Sequence, residues 1–249
     1  MDLLRKIFKG NTLYYPGCMT KFVLKDIEVN YKKILEREGI DFIMLRDKEL
    51  CCGSPIKNAG DDEKFLEIAN KNLKVFKEHG VSRIITNCPA CAAVFRNDYR
   101  KFLGEKWNIE VFHIIEIIKI RKNMVNKKTE RTVDKKTKVA TYHDPCHLGR
   151  VLGIYDKPRK VIESAGYKLK EMDLNRNKSF CCGGGGGVKS NYPELSNAIA
   201  QDRMEQANKV GAHKLFTACP MCYANLKENS KGMEVEEISQ ILGAGGEEN

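Results

Sequence analysis

Short apolar runs alternate with longer stretches in which apolar residues return every three or four positions. LYYPG (Leu13–Gly17), DFIML (Asp41–Leu45), RIIT (Arg83–Thr86) and IEVFHI (Ile109–Ile114) have the length and composition of buried strands. Between them, Thr20 to Arg37 carries Phe22, Ile27, Ile34 and Leu35 at helical spacing. Asp61 to His79 does the same through Phe65, Ile68, Ala69, Leu73 and Phe76. The acidic start of the second segment suits a helix N-terminus, and Pro89 suits the first turn of another helix. The rhythm then recurs: VATYH (Val139–His143), YKLKEMD (Tyr167–Asp173), a helix near Tyr192 to Val210, KLFT (Lys214–Thr217) and MEVEEI (Met233–Ile238). Strands alternating with helices predict an α/β fold of two tandem Rossmann-like βαβ repeats with parallel sheets.

The recurrence is a duplication. GVSRIITNCPAC, Gly80 to Cys91, aligns without gaps on GAHKLFTACPMC, Gly211 to Cys222. Cys51-Cys52 answers Cys181-Cys182, each pair followed by glycine, and Cys18 in YYPGC answers Cys146 in YHDPC. The offsets are 131, 130 and 128 residues, so three anchors keep nearly one register. An internal pseudo-two-fold is therefore expected, with a first cysteine-rich repeat over 1–120, a linker over 121–138 and a second repeat over 139–249.

All ten cysteines belong to these two sets of five. Each group follows a predicted strand, which places the thiols at the carboxyl edge of a sheet, where open α/β folds bind ligands. Structural zinc takes four ligands and favours paired CxxC knuckles, whereas each half offers one CxxC and an odd fifth thiol. A disulfide framework needs an oxidising compartment, and adjacent cysteines are poorly placed for an ordinary bridge. Soft thiolates suit iron–sulfur clusters. Five per half imply a protein ligand beyond the four of an ordinary cubane. The stretch SFCCGGGGGVKS, Ser179 to Ser190, fits that reading: Gly183, Gly184 and Gly185, with Gly53 in the first half, let the backbone wrap closely and aim N–H groups at sulfur. A phosphate-binding loop is the rival for the glycine run, but neither GxxxxGK[ST] nor a strand-anchored GxGxxG accompanies it.

Composition narrows the setting. Apolar residues make up 42% and charged residues 31%, a soluble globular balance. The longest apolar patch, Val111 to Ile120, is broken by His113, Glu116 and Lys119, so no transmembrane segment is expected. MDLLRKIFKGN lacks the form of a secretory signal, which points to the cytoplasm. The net charge is +10, of which 121–138 carries +6 from eight Lys/Arg against Glu130 and Asp134. A solvated linker is the plain reading, and docking of an acidic electron-transfer partner comes next. No nucleic-acid module accompanies the charge.

One cysteine, then CCG, then CPxC, twice over, resembles the cysteine-rich CCG domain of the B-type and D-type subunits of heterodisulfide reductase. YHDPCHLGR with CCGGGGGV is most similar to the catalytic part of the D-type polypeptide, and related domains occur in iron–sulfur subunits of glycolate and lactate oxidising complexes. The resemblance implies two noncubane 4Fe–4S clusters facing a disulfide substrate at an interdomain cleft. Cys18, Cys51, Cys52, Cys88 and Cys91 would hold one; Cys146, Cys181, Cys182, Cys219 and Cys222 would hold the other. Five thiolates on each core add about −3 per site, bringing the loaded chain to roughly +4. His143 and His147 flank Cys146 and are candidate proton donors. Arg150 and Lys189 are candidate attractors of an anionic substrate, while Tyr14 and Tyr142 read as strand packing. No flavin or NAD site is expected, so electrons pass to or from an iron–sulfur or flavoprotein partner subunit. The alternative is an electron-transfer subunit of a flavin-dependent lactate- or glycolate-type dehydrogenase complex. A non-redox scaffold comes third.

Overall fold

The computed structural model describes residues 10–120 and 139–243; the expected basic linker over 121–138 lies outside the described residues. Two parallel sheets form. In the first, β1 (Asn11–Tyr15), β2 (Val81–Thr86) and β3 (Glu110–His113) lie in the order β1-β2-β3. In the second, β4 (Val139–His143), β5 (Lys168–Leu169), β6 (Lys214–Thr217) and β7 (Glu234–Glu237) lie in the order β5-β4-β6-β7. The first sheet has a vestige of the fourth position, a parallel bridge between Leu13 and Ile43. The duplicated α/β architecture is therefore present in both topology and register.

DFIML and YKLKEMD shrink, respectively, to that one bridge and to the two residues of β5. The physical reason is that the chain soon leaves the sheet there to carry the double cysteine; β3 and β7, at the opposite edges with one partner each, still pair over four residues. Both copies leave the same way. Arg46 and Arg176, 130 residues apart, hold the left-handed backbone at φ 50° and 54°, a conformation few non-glycine residues adopt.

The segment predicted as one helix over Thr20–Arg37 is divided. Met19–Val23 makes a wide π-type turn, Leu24 departs from helical geometry (φ −115°, ψ 58°), and the regular helix is Lys25–Arg37. Phe22 is 69% exposed, whereas Ile27, Tyr31, Ile34 and Leu35 are buried. Asp62–Glu78 forms as expected, with the Asp61 side chain accepting from the Lys64 N–H as an N-cap.

Helix Lys25–Arg37 turns its apolar face toward the other repeat and packs on helix Ile238–Gly243. Its buried residues join Ile114 and Ile115, Tyr142 and Leu148, and Ile238 and Leu242 in one core that both repeats share. A second core belongs to the first repeat alone and is aromatic: Phe65, Phe76, Phe95, Tyr99 and Trp107, mostly edge to face. Tyr14 and Tyr142 are fully buried, as strand packing requires. Among the described residues no helix is long and apolar enough to cross a membrane.

Candidate metal centres

The carboxyl ends of the strands deliver the thiols. Cys18 stands three residues after β1, and Cys88 follows β2 as the N-cap of helix Pro89–Ala93, which carries Cys91 on its first turn. Cys51 and Cys52 arrive from the loop that leaves the sheet edge at Ile43. The sulfurs of Cys52 and Cys91 lie 3.3 Å apart. The Cys51 thiol also hydrogen-bonds to Cys52, and that of Cys91 to Cys88, all as free cysteines, while Cys18 feels the charge of Cys88 and Cys52. All five thiols of the first set thus come together.

The second set repeats these links one for one. The thiols of Cys181 and Cys222 hydrogen-bond to Cys182, that of Cys222 also to Cys219, and Cys146 feels Cys219 and Cys182. In each set the second cysteine of the pair is the one whose thiol is acidified by its neighbours. Hydrogen bonds from Cys51 and Cys91 pull Cys52 well below the usual thiol range, and those from Cys181 and Cys222 do the same for Cys182. The donating thiols Cys51 and Cys181 are pushed up in turn. Two thiols converging on a third that is buried and acidified make a soft donor set, which fits an iron–sulfur group.

Backbone N–H groups complete the cradle. Gly53 N donates to Cys51 Sγ at 3.4 Å, Gly183 N to Cys181 Sγ at 3.3 Å and Gly184 N to Cys182 Sγ at 3.5 Å. Gly183 must be glycine: its φ is +77°, and a Cβ there would stand 2.6 Å from the Ser196 carbonyl oxygen. Gly185 has open space where its Cβ would be and no such requirement. The run needs glycine at Gly183 and, by their left-handed φ of 64° and 78°, at Gly186 and Gly187, but not at Gly185.

The two sets are neighbours. Helix Pro89–Ala93 packs on the turn His147–Val151 that follows Cys146, and helix Pro220–Glu228 packs on Met19–Val23 that follows Cys18. His147, half-buried, places Nδ1 3.4 Å from Cys146 Sγ and feels both Cys52 and Cys182. His143 is 1% exposed, and burial lowers its pKa. Arg150 donates to the Ser179 carbonyl at 2.9 Å, and Lys189 pairs with Glu228 at 2.9 Å. Both cations thus already have protein partners.

Sequence reasoning passed over Arg203, which is 0% exposed and lies beside the second set. Its Nε donates to His143 Nδ1 at 3.1 Å and its guanidinium feels Cys222 and Cys182. The signal was present in the spacing: Arg203 shares the helical stripe of Ala200, Met204 and Ala207, all buried. Also missed was Arg159, 5% exposed, which holds Asp144 through two bonds of 2.7 and 2.8 Å and reaches Glu171 at 2.6 Å.

The cysteine-rich domain family CCG matches residues 12–96 and 140–227. The D-type polypeptide of the dihydromethanophenazine:CoB–CoM heterodisulfide reductase of Methanosarcina acetivorans is 34% identical over 241 residues, which cover 94% of this chain and 58% of that protein. Its namesake from Methanosarcina mazei is 32% identical over 234 residues, covering 92% of this chain and 56% of that one. The EtfAB:quinone oxidoreductase of Syntrophomonas wolfei is 31% identical over 239 residues, covering 92% and 33%. The chain thus spans less than two thirds of the length of these curated relatives. Two matched segments, each holding one cysteine set on equivalent elements of a duplicated fold, show that the chain belongs to the cysteine-rich CCG domain family.

Proposed function

We propose that the chain is an iron–sulfur redox subunit that reduces a disulfide, with one noncubane 4Fe–4S cluster on each cysteine quintet and the substrate between them. Cys18, Cys51, Cys52, Cys88 and Cys91 hold the first cluster; Cys146, Cys181, Cys182, Cys219 and Cys222 hold the second. The observation that carries this reading is the pair-for-pair identity of the two quintets, each gathered around one buried, acidified cysteine. When bound, each cluster supplies one-electron chemistry, and two of them match the two electrons that a disulfide takes up with two protons to give two thiols.

The residues of the chain divide the remaining work. Cys52, Cys91, Cys182, Cys219 and Cys222 are buried and anchor the groups, whereas Cys18, Cys51 and Cys181 are exposed and face the approach of substrate. The N–H groups of Gly53, Gly183 and Gly184 spread the negative charge of the sulfurs. His147, beside Cys146 and within the field of both quintets, is placed to hold a proton for a departing thiolate. Electrons come from a partner iron–sulfur protein or flavoprotein.

A relay role in a flavin-dependent dehydrogenase complex is the second reading, favoured by the likeness to a quinone oxidoreductase. Anaerobic purification, iron quantitation and EPR separate the two. About eight irons per chain are expected, with a reduced spectrum that changes when a disulfide is added. A full iron complement with a spectrum indifferent to disulfide supports the relay.

A further inference from the structure

The two quintets match, but their surroundings do not. At the position of His143 the first repeat has Tyr15, and at that of Arg203 it has Asn72, by the offsets of 128 and 131 residues that align the cysteines. Tyr15 is 1% exposed, and its hydroxyl is spent on the Leu50 carbonyl at 2.7 Å. Asn72 is neutral and gives its amide to the Cys51 carbonyl and to Tyr99, each at 2.8 Å. Neither offers a hydrogen to sulfur. Glu49, whose counterpart in the second repeat is Ser179, adds a carboxyl close enough to feel Cys52.

In the second repeat the chain places a hydrogen-bond donor against the thiols. One ring nitrogen of His143 and the sulfurs of Cys182 and Cys222 all lie within 4.8 Å of one another. Arg203 Nε, which can only donate, takes Nδ1 as its acceptor at 3.1 Å. With Nδ1 an acceptor, the ring proton sits on Nε2, which is buried and has no hydrogen-bond partner among the described residues. Arg203 is itself pinned by the Leu174 carbonyl, Gln206 and Ser179 at 2.8, 2.7 and 3.2 Å. Asp144, Arg159 and Glu171 pair among themselves nearby, one cation against two carboxylates, which leaves a formal net charge of −1 that opposes the effect of Arg203.

We propose that His143 is a positioning residue that donates its Nε2–H to the Cys182–Cys222 sulfurs, with Arg203 setting the tautomer, and that it makes the second-repeat centre the more easily reduced of the two. The inference rests on the reading of the quintets as iron–sulfur centres. N–H donors and cationic neighbours stabilise the electron-richer state of such a centre and raise its potential. The first electron from an external one-electron donor therefore goes to the second-repeat centre, the donor being oxidised by one electron as that centre is reduced by one.

The test is an anaerobic redox titration of the loaded protein followed by EPR, on the wild type and on His143→Phe, His143→Gln and Arg203→Met. Wild type is expected to show two waves at least tenfold apart in reduced-to-oxidised ratio at a fixed potential, which is 59 mV for one electron. His143→Phe and Arg203→Met should lower the upper wave alone. His143→Gln, which keeps an N–H, should restore much of it. Should His143→Phe and Arg203→Met fail to load, His147→Gln protein labelled with ¹⁵N-histidine decides, since His147 also lies beside the second quintet: a histidine nitrogen coupled to the higher-potential centre is expected, and coupling to the lower-potential centre or to neither overturns the proposal. Two iron centres whose waves coincide, or move together in the variants, also overturn it while leaving the iron–sulfur reading intact. A chain that takes up no iron removes that reading, and this inference with it.

Discussion

Tyr31 donates its hydroxyl to Glu237 Oε1 at 2.5 Å across 206 residues of chain, and both side chains are fully buried. The bond fastens helix Lys25–Arg37 of the first repeat to the end of β7 in the second, beside Ser239, whose N–H gives the other oxygen a bond of 2.8 Å. Tyr31→Phe keeps the ring and leaves a buried oxygen with one partner fewer. A loss of about 1–3 kcal/mol in urea unfolding is expected, with both repeats unfolding in one transition because they share a core. A neutral effect would show that the bond does not join the repeats energetically.

Glu237 also makes a pH prediction. Burial, opposed by the bonds from Ser239 and Tyr31, pushes its carboxyl up to about 7. The folded chain thus binds this proton more tightly than the unfolded chain does. Its stabilising contribution is full below the ordinary carboxylate range and is lost as pH rises through 7. Glu49 shares the window, so the informative quantity is a difference. The stability of Glu237→Gln relative to wild type should rise between pH 4.5 and pH 8 by roughly 3 kcal/mol. A flat difference would refute the assignment.

The Arg159–Asp144 pair is a buried ion pair with two bonds and a ring beneath it, the guanidinium lying 5.1 Å from the centre of Tyr142. Arg159→Met strands Asp144, which is 2% exposed, and should cost about 3–5 kcal/mol in denaturant unfolding. Adding Asp144→Asn to that variant removes the stranded charge and should recover a large part of the loss. A double variant no more stable than the single one would argue against charge stranding.

Within the glycine run, position decides tolerance. Gly183→Ala meets both a left-handed φ and the Ser196 carbonyl, and it should destabilise by at least about 2 kcal/mol and lower iron uptake at the second quintet. Gly185→Ala meets open space and should fall within about 0.5 kcal/mol of wild type. Equal costs would mean that the run acts as a flexible whole.

Much of this molecule is written locally. Strand and helix periods place β1, β2, β4 and β6, and the turn after each strand places a cysteine at its carboxyl end, so both quintets are legible from spacing. Asp61 as an N-cap and Cys88-Pro89 opening a helix are local chemistry as well. DFIML and YKLKEMD read as longer strands than they make because an apolar run does not reveal where the chain leaves the sheet.

What the chain order alone determined is the duplication and the soft-ligand sets, since both depend on residue identity at fixed separations. Tertiary packing decided which apolar face meets which, so that Tyr31 belongs to Glu237 rather than to its own repeat. It also decided that Arg203 is interior. A guanidinium normally signals surface, and only partners drawn from distant segments, His143, Leu174 and Ser179, satisfy its donors well enough to bring it inside. Period and composition describe one segment's preference for water; they are silent about the company that cancels it.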